Sequence, residues 1–429
     1  RKKRLMDLGR KTAFQILLEI EKENSFSNLT VGRIINENGP ENPAFVRELV
    51  YGVLENKILL DYYLDVLILS GIRKVKDREK TLLRMGIYQI KFMDGVPDYA
   101  AVSETVSLAK KFARGRENFI NGVLRNFIKC KDELKLPSGD RDEYLSVKYS
   151  FPQWIIRMWK EQYGEDRLES LIAASNERPK LCIRVNFLKT TAEKLAYSLE
   201  SKGFKTEEGK LSERTLYVSG SNLTDTDEYK NGLFSIQDES SLAACQALEP
   251  KPGDIVIDTC AAPGGKTLAM GEMMENRGRI IACDVYPHKL KLIEQQAERL
   301  GIGIADTKLI DGVKGDGSLS GIADKVLVDA PCSGLGVIRR KPEIKYKESG
   351  ELSELIPIQA QILDRAAGYL KPGGTLVYST CTINRDENDI QAEKFVENHR
   401  DYEIIYEKQF LPTGGLDGFY IAKMKKKGK

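Results

Sequence analysis

Histidine is almost missing from this chain: 429 residues contain only His288 and His399, neither beside a cysteine cluster, so a zinc site has poor support and no metal is expected. Disulfides are equally unsupported. The seven cysteines are odd in number and nowhere spaced Cys-x-x-Cys, and a chain of this length has little need of covalent staples, so the thiols are expected to be free. No apolar run approaches the length needed to cross a bilayer, and Arg1-Lys2-Lys3-Arg4 leads into an amphipathic segment rather than a signal-peptide core. A cytoplasmic location without a membrane partner is expected. No repeat period marks a solenoid or propeller. A marked charge excess is missing too, since a net charge of +3 is too small to argue for nucleic acid by itself.

What is present is an ordinary globular composition, 41% hydrophobic and 30% charged, in a chain too long for one compact core, which implies two or three domains. Basic residues gather at Arg1 to Lys11, at Lys110-Lys111 with Arg114 and Arg116, at Arg339-Arg340-Lys341, and from Lys423 to Lys429. Any one cluster taken alone reads as a solvated face or a frayed tail. The Arg339 cluster differs because it follows Cys332 so closely.

From about Asp7 to Lys131 the pattern is helical throughout, with Ala13, Phe14, Leu17, Leu18 and Glu21 tracing successive turns. Similar stretches run over 44–69, 80–92, 99–112 and 118–128, with Asp98 as an N-cap. Between 134 and 232 the signals mix. Pro137-Ser138-Gly139-Asp140 reads as a linker, 149–163 as a helix carrying both tryptophans, 181–186 as an alternating strand, 191–201 as a helix and 215–218 as a returning strand. After Gly232 strands at 255–258, 279–282, 307–310, 325–328 and 375–378 alternate with helices such as 288–300. The expected organisation is an all-α domain over 1–133, a small mixed α/β linker domain over 134–232, and a doubly wound, Rossmann-like α/β domain over 233–429.

Two cysteines stand behind strand ends in that last domain, Cys332 in Asp329-Ala330-Pro331-Cys332 and Cys381 in Ser379-Thr380-Cys381-Thr382. Ligands and chemistry collect beyond the carboxyl ends of parallel strands, so neighbouring strands would point both thiols into one crevice. Cys130, Cys182, Cys245 and Cys283 read instead as small buried hydrophobes. A third strand runs into Thr259-Cys260-Ala261-Ala262-Pro263-Gly264-Gly265-Lys266-Thr267, whose glycines let the backbone come close to a ligand at a helix N-terminus. A Walker loop would need glycine where Cys260 stands, and the Gly-x-Gly-x-x-Gly fingerprint is absent. Asp284, 20 residues after Gly264 (284 − 264), stands where an acid holding a ribose hydroxyl belongs. An adenosyl cofactor without a bound pyrophosphate satisfies both facts.

Cytosine carbon 5 is a poor nucleophile, and methylating it requires that a nucleophile first add to carbon 6. A thiolate suits that role, and a second acid/base group near carbon 5 is then needed to take its proton. Either thiol fits the first role on spacing alone. Asp329 is placed to hydrogen-bond the pyrimidine edge, and Lys266 to orient the base or the cofactor carboxylate.

The motifs Cys260-Ala261-Ala262-Pro263-Gly264-Gly265-Lys266, Asp329-Ala330-Pro331-Cys332-Ser333-Gly334 and Ser379-Thr380-Cys381-Thr382 resemble those of the RNA 5-methylcytosine methyltransferases of the Nol1/Nop2/Sun family. Phe45-Val46-Arg47-Glu48-Leu49-Val50-Tyr51-Gly52 and Phe119-Ile120-Asn121-Gly122-Val123-Leu124-Arg125-Asn126 resemble the NusB-like RNA-binding domain of that family's bacterial Sun branch. The resemblance implies that Cys381 is the nucleophile, while Cys332 helps proton removal or product release. It also implies S-adenosylmethionine held by Cys260, Ala261, Ala262, Pro263, Gly264, Gly265 and Lys266, by Asp284 at the ribose, by Asp311 near the adenine with Asp316 as the alternative, and by Asp329. The implied substrate is a hairpin cytosine in small-subunit ribosomal RNA, taken by a monomer. A loop cytosine is splayed into a pocket more cheaply than a paired one. The N-terminal bundle, the Arg184-Val185-Asn186 strand and the Arg339 cluster are the candidate RNA surfaces. A catalytically silent RNA-binding factor would not need both thiols, Asp329 and Lys266. An amino-group methyltransferase carries Asp/Asn-Pro-Pro-aromatic at the strand end, where Ala330 and Cys332 here replace the second and fourth positions.

Overall fold

The computed structural model describes residues 7–23 and 27–428, so Arg1–Arg4 of the first basic cluster and Lys429 of the last lie outside the described residues. The chain forms two compact units, one reaching to Asn176 and including Ile338–Lys347, the other made of Glu177–Val337 and Glu348–Lys429. No helix among the described residues is long and apolar enough to cross a membrane.

The first unit is helical: α1 Leu8–Glu23, α2 Ser27–Asn38, α3 Pro43–Glu55, α4 Lys57–Leu67, α5 Asp77–Phe92, α6 Asp98–Phe112, α7 Glu117–Cys130, α8 Arg141–Tyr149, α9 Gln153–Tyr163 and α10 Glu165–Asn176. Its core is the sum of the stripes read from the periodicity, with Ala13, Phe14, Leu17, Leu49, Leu82 and Leu124 all buried. Three local readings are corrected. The 44–69 stretch is two helices, because Asn56 leaves the helical region and turns its amide back onto the Gly52 carbonyl at 2.9 Å. Apolar spacing continues on both sides of that break and so hides it. Asp98 is the first helical residue and Pro97 the cap, which still leaves an acid in the positive first turn. The 149–163 stretch divides as well. Asp140 caps α8 through the Asp142 amide, Ser150 adopts a left-handed φ of 55°, and Pro152 disfavours helix at the residue before it.

Ile338–Lys347 returns from the later part of the chain to pack in this unit. Its Lys345 is wholly buried, donating from Nζ to the Glu55 carbonyl at 2.9 Å and to Asn176 Oδ1 at 3.0 Å, and Tyr346 Oη donates to the Leu54 carbonyl at 2.6 Å. Both backbone acceptors are orphan carbonyls at the C-terminus of α3, the end that favours a cation.

The second unit opens with a four-stranded antiparallel sheet of β1 Leu181–Val185, β2 Lys205–Glu208, β3 Thr215–Ser219 and β4 Phe234–Ile236, in the order β2-β3-β1-β4. Helices α11 Ala192–Ser201 and α12 Asp227–Lys230 lie between these strands in the chain. After α13 Glu239–Leu248 the larger sheet begins: β5 Ile255–Asp258, α14 Gly265–Met273, β6 Arg279–Asp284, α15 Pro287–Leu300, β7 Ala305–Leu309, β8 Ala323–Asp329, α16 Ser349–Ala367, β9 Leu370–Thr380, α17 Asp389–Asn398, β10 Tyr402–Phe410 and β11 Phe419–Lys426. The strand order is β10-β11-β9-β8-β5-β6-β7, with β5 to β9 parallel and the last two strands antiparallel. The doubly wound expectation therefore holds, with an antiparallel extension that the sequence reading lacked. Lys423, read as part of a frayed tail, lies buried in β11 and pairs with Glu249 at 3.0 Å. From β5 the chain winds outward through β6 and β7, then returns to β8 and β9 on the other side. The crevice at the β5/β8 switch point is where such sheets bind ligands.

Candidate active site

Across the carboxyl edge of the sheet, β9 is followed by Cys381, β8 ends in Asp329, β5 in Asp258 and β6 in Asp284, and Asp311 stands two residues past β7. Parallel pairing in register makes this row, setting Asp329 opposite Ser379 and Asp258 opposite Leu327. The loop after β8 brings Cys332 back so that its Sγ lies 3.3 Å from Sγ of Cys381. Hydrogen bonding with Cys381, then burial, push the Cys332 thiol well above the usual thiol range.

Lys266, in the first turn of α14, donates from Nζ to Asp329 Oδ2 at 2.8 Å, and Ser379 Oγ donates to Asp329 Oδ1 at 2.8 Å. Burial by itself would lower the Lys266 amine, but the charge of Asp329 and the hydrogen bond to it prevail and hold it above its usual value, with Cys381 adding to the same effect. The ammonium stands 5.2 Å over the Phe419 ring. A fixed cation beside the thiol pair favours a thiolate there.

Both cysteine loops are tied to one carboxylate that the sequence reading missed. Glu387, fully buried, accepts from the Ser333 amide at 2.8 Å, Ser333 Oγ at 2.6 Å, Gln359 Nε2 at 2.9 Å and Asn384 Nδ2 at 3.1 Å. Ser333 and Thr382, the residues after the two cysteines, share a hydroxyl contact of 2.8 Å. Glu387→Ala strands these buried donors and is expected to cost about 3 kcal/mol or more of stability, measured by urea denaturation. A loss within 0.5 kcal/mol, the range of a surface change, would mean that the network does not hold the loops.

The cofactor-like turn follows β5. Gly264 has a φ of 104° as it enters α14, and a Cβ there would meet Ile293 at 3.2 Å, so only glycine makes this turn without strain. A cleft of about 240 Å³ opens beside it, lined by Gln237, Asp258, Cys260 to Pro263, Gly265, Lys266 and Asp329. Asp258 is fully buried; its Oδ2 accepts from Thr267 Oγ1 at 2.7 Å, whereas its Oδ1 has no partner. An orphaned carboxylate oxygen in a cleft fits a cationic or hydrogen-bonding ligand. Burial raises this acid to about 7, against the Thr267 hydrogen bond and with help from the nearby Asp329 charge.

Neither Asp284 nor Asp311 lines that cleft. Asp284 accepts from the Ala262 amide at 3.2 Å and the Tyr286 amide at 3.1 Å, steadying the turn from the neighbouring strand. Asp311 accepts from the Val313 amide at 3.0 Å. Asp316 caps the turn at Ser318 and pairs with Lys308 at 2.7 Å, whose hydrogen bond, with those of Ser318, lowers it to about 2.

One expected RNA surface is overturned. Arg184, Val185 and Asn186 are buried, with Arg184 forked onto Glu272 at 2.8 and 3.0 Å and donating to the Gly265 carbonyl at 2.8 Å and to Gln237. Its cation braces the cofactor turn. In the Arg339 cluster Arg339 is buried, whereas Arg340 and Lys341 are partly exposed. Of the cysteines read as buried, Cys182, Cys245 and Cys283 are so, whereas Cys130 is half-buried at the end of α7, its thiol donating to the Asn126 carbonyl.

Comparison with known proteins covers nearly the whole chain. Residues 8–129 match the NusB family, 151–222 the RsmF/B-like ferredoxin-like methyltransferase domain, and 245–425 the family described as 16S rRNA methyltransferase RsmB/F. The chain is 38% identical to the probable ribosomal RNA small subunit methyltransferase B of Bacillus subtilis, over 98% of this chain and 99% of that one. It is 31% identical to the ribosomal RNA small subunit methyltransferase B of Erwinia tasmaniensis, over 95% and 96%. The crystal structure of PH0851 superposes with a TM-score of 0.84 at 26% identity, covering 99% of this chain and all of that one. The chain belongs to the RsmB family of enzymes, the 16S ribosomal RNA methyltransferases.

Proposed function

We propose that this chain methylates carbon 5 of a cytosine in 16S ribosomal RNA, with S-adenosylmethionine as donor and through a transient bond between Cys381 and carbon 6. The observation that carries the reading is the thiol pair 3.3 Å apart at the ends of neighbouring strands, beside the Lys266–Asp329 ion pair. Cys381, as thiolate, accepts the S–H of Cys332 and sits in the field of Lys266; its electron pair forms the bond to carbon 6, and ring electrons move to carbon 5. Asp329 and Lys266 offer one acceptor and one donor, complementary to the amino group and the acceptor atoms of a cytosine edge. S-adenosylmethionine bound there would supply an electrophilic methyl group for carbon 5, with the neutral thioether as its leaving group. With Cys381 bonded to the ring, Cys332 releases its S–H proton to solvent and, as thiolate, takes the carbon 5 proton; the electrons re-form the ring double bond, and Cys381 departs with its pair.

Residues Cys260 to Lys266 and Asp258 would hold the donor's methionyl part, and Asp284 and Asp311 lie along the edge toward an adenosine. Incubating unmethylated 16S ribosomal RNA with methyl-labelled donor and mapping the product base tests the reading. 5-Methylcytosine at a defined position is expected. Methyl on an exocyclic nitrogen instead would favour the amino-group reading and sink this one.

Donor affinity is expected to depend on pH through Asp258. With its carboxyl raised to about 7, most of the free protein carries it protonated at pH 6 and ionised at pH 8. A cationic donor group selects the ionised form, so affinity rises with pH, by about tenfold across that interval. Calorimetric titrations at both pH values measure this, and Asp258→Asn is expected to flatten the profile.

A further inference from the structure

We infer that the groove between α6 and α7 in the helical unit is a docking channel for an unpaired stretch of the RNA substrate, separate from the methyl-transfer site. The inference rests on ribosomal RNA being the substrate, not on which base is methylated. Along α6, Tyr99, Ser103, Val106 and Lys110 recur at three- and four-residue spacing, which puts them on one face; along α7, Asn121, Arg125 and Ile128 or Lys129 do the same. These two stripes line a groove of about 620 Å³ whose floor is Val102, Val106 and Ile128.

The chemistry of the lining selects the occupant. Tyr99 leaves 76% of its surface exposed, an aromatic face with no packing duty, of the kind on which a splayed base stacks. Lys110, Arg125 and Lys129 are exposed, and among the described residues none has a carboxylate within ion-pair distance. The acid of the lining, Asp98, is already neutralised by Lys131 at 3.1 Å. The groove therefore presents three uncompensated cations and one spent anion. Asn121 Oδ1 accepts from Arg125 Nε at 3.2 Å, orienting the guanidinium so that its remaining donors can fork onto a phosphate. Cations at the rim, a stacking ring and hydrogen-bonding Ser103 and Asn121 together match the recognition of a single strand, whose bases and backbone are both accessible. A double helix would leave Tyr99 nothing to stack on.

The test uses the full chain and a fluorescent stem-loop transcribed from 16S ribosomal RNA, with binding measured by anisotropy over a range of salt concentrations. Lys110→Glu with Arg125→Glu is expected to weaken binding at least tenfold and to make the affinity less steeply dependent on salt. KM for the RNA rises in step while kcat at saturating RNA stays unchanged. Tyr99→Ala is expected to weaken binding about fivefold or more with the salt slope unaltered, since stacking releases no counterions. Donor affinity should be unchanged in both variants, which shows that the methyl-transfer unit remains intact. Variants that bind the stem-loop like the parent protein overturn the channel, and would reassign the groove to an acidic protein partner. A parent protein that neither binds nor methylates the RNA would instead overturn the proposed function.

Discussion

Cys381→Ala is expected to abolish methyl transfer and covalent adduct formation together, with a loss of at least about a thousandfold in kcat, the scale on which removal of a covalent nucleophile acts. Two sulfurs sit within reach of one base, so proximity does not distinguish them. The resemblance to the family's motifs does, since it implies that the nucleophile is the cysteine of the later motif, Cys381. The hydrogen bond with Cys381 and then burial raise the Cys332 thiol well above the usual thiol range, in keeping with a charge carried on the Cys381 sulfur. That sulfur also contributes to the raised Lys266 amine, which places it in the field of a fixed cation. Steady-state methylation of 16S ribosomal RNA measures the loss, with donor binding by calorimetry as the control. Donor affinity should be unchanged, because Cys381 does not line the cleft beside Gly264. A variant retaining a tenth of the activity would move the nucleophile to Cys332 and reverse the assigned roles.

The sequence makes the central strands legible because each is a short apolar run closed by a polar residue, as in Ile255-Val256-Ile257-Asp258 and Val326-Leu327-Val328-Asp329. It yields the two thiols for the same reason, since each follows such a run directly. The outer pair of strands is different. Tyr402–Phe410 is studded with glutamate and lysine, and the end of Phe419–Lys426 merges into a basic tail, so neither looks like a strand until β9 is there to pair with it. Glu387 lies 54 residues from Ser333, a separation that no local pattern spans. Arg184 misled for a related reason. An arginine on an alternating strand reads as solvent-facing, and only the packing of that strand against α14 shows its partner to be Glu272, 88 residues away. Asp258 was in view as a strand end, but its burial and its unpaired oxygen are properties of the folded crevice rather than of spacing.

Cys332→Ala is expected to trap the enzyme on its RNA. In the resting pair Cys332 carries a proton and so cannot serve as a base, and its hydrogen bond with Cys381 is the largest influence holding that proton. Once Cys381 is bonded to carbon 6 it is a thioether, with neither a proton to share nor a charge to repel, and the principal cause of the raised Cys332 pKa is gone. Cys332 then ionises more readily at the step that needs a base, removal of the carbon 5 proton, after which the electrons that re-form the ring double bond expel Cys381. With alanine in its place the first half of the reaction proceeds and the second stalls. A covalent protein–RNA band that survives denaturing gels should therefore accumulate toward one RNA per enzyme, only when donor is present, while turnover falls by about a hundredfold or more, the usual worth of a positioned general base. Cys332→Ala combined with Cys381→Ala should give no band, because the sulfur that forms the bond is missing. Normal turnover by Cys332→Ala without an adduct would show that another group takes the proton, and that the 3.3 Å contact serves only to lower the charge of its neighbour.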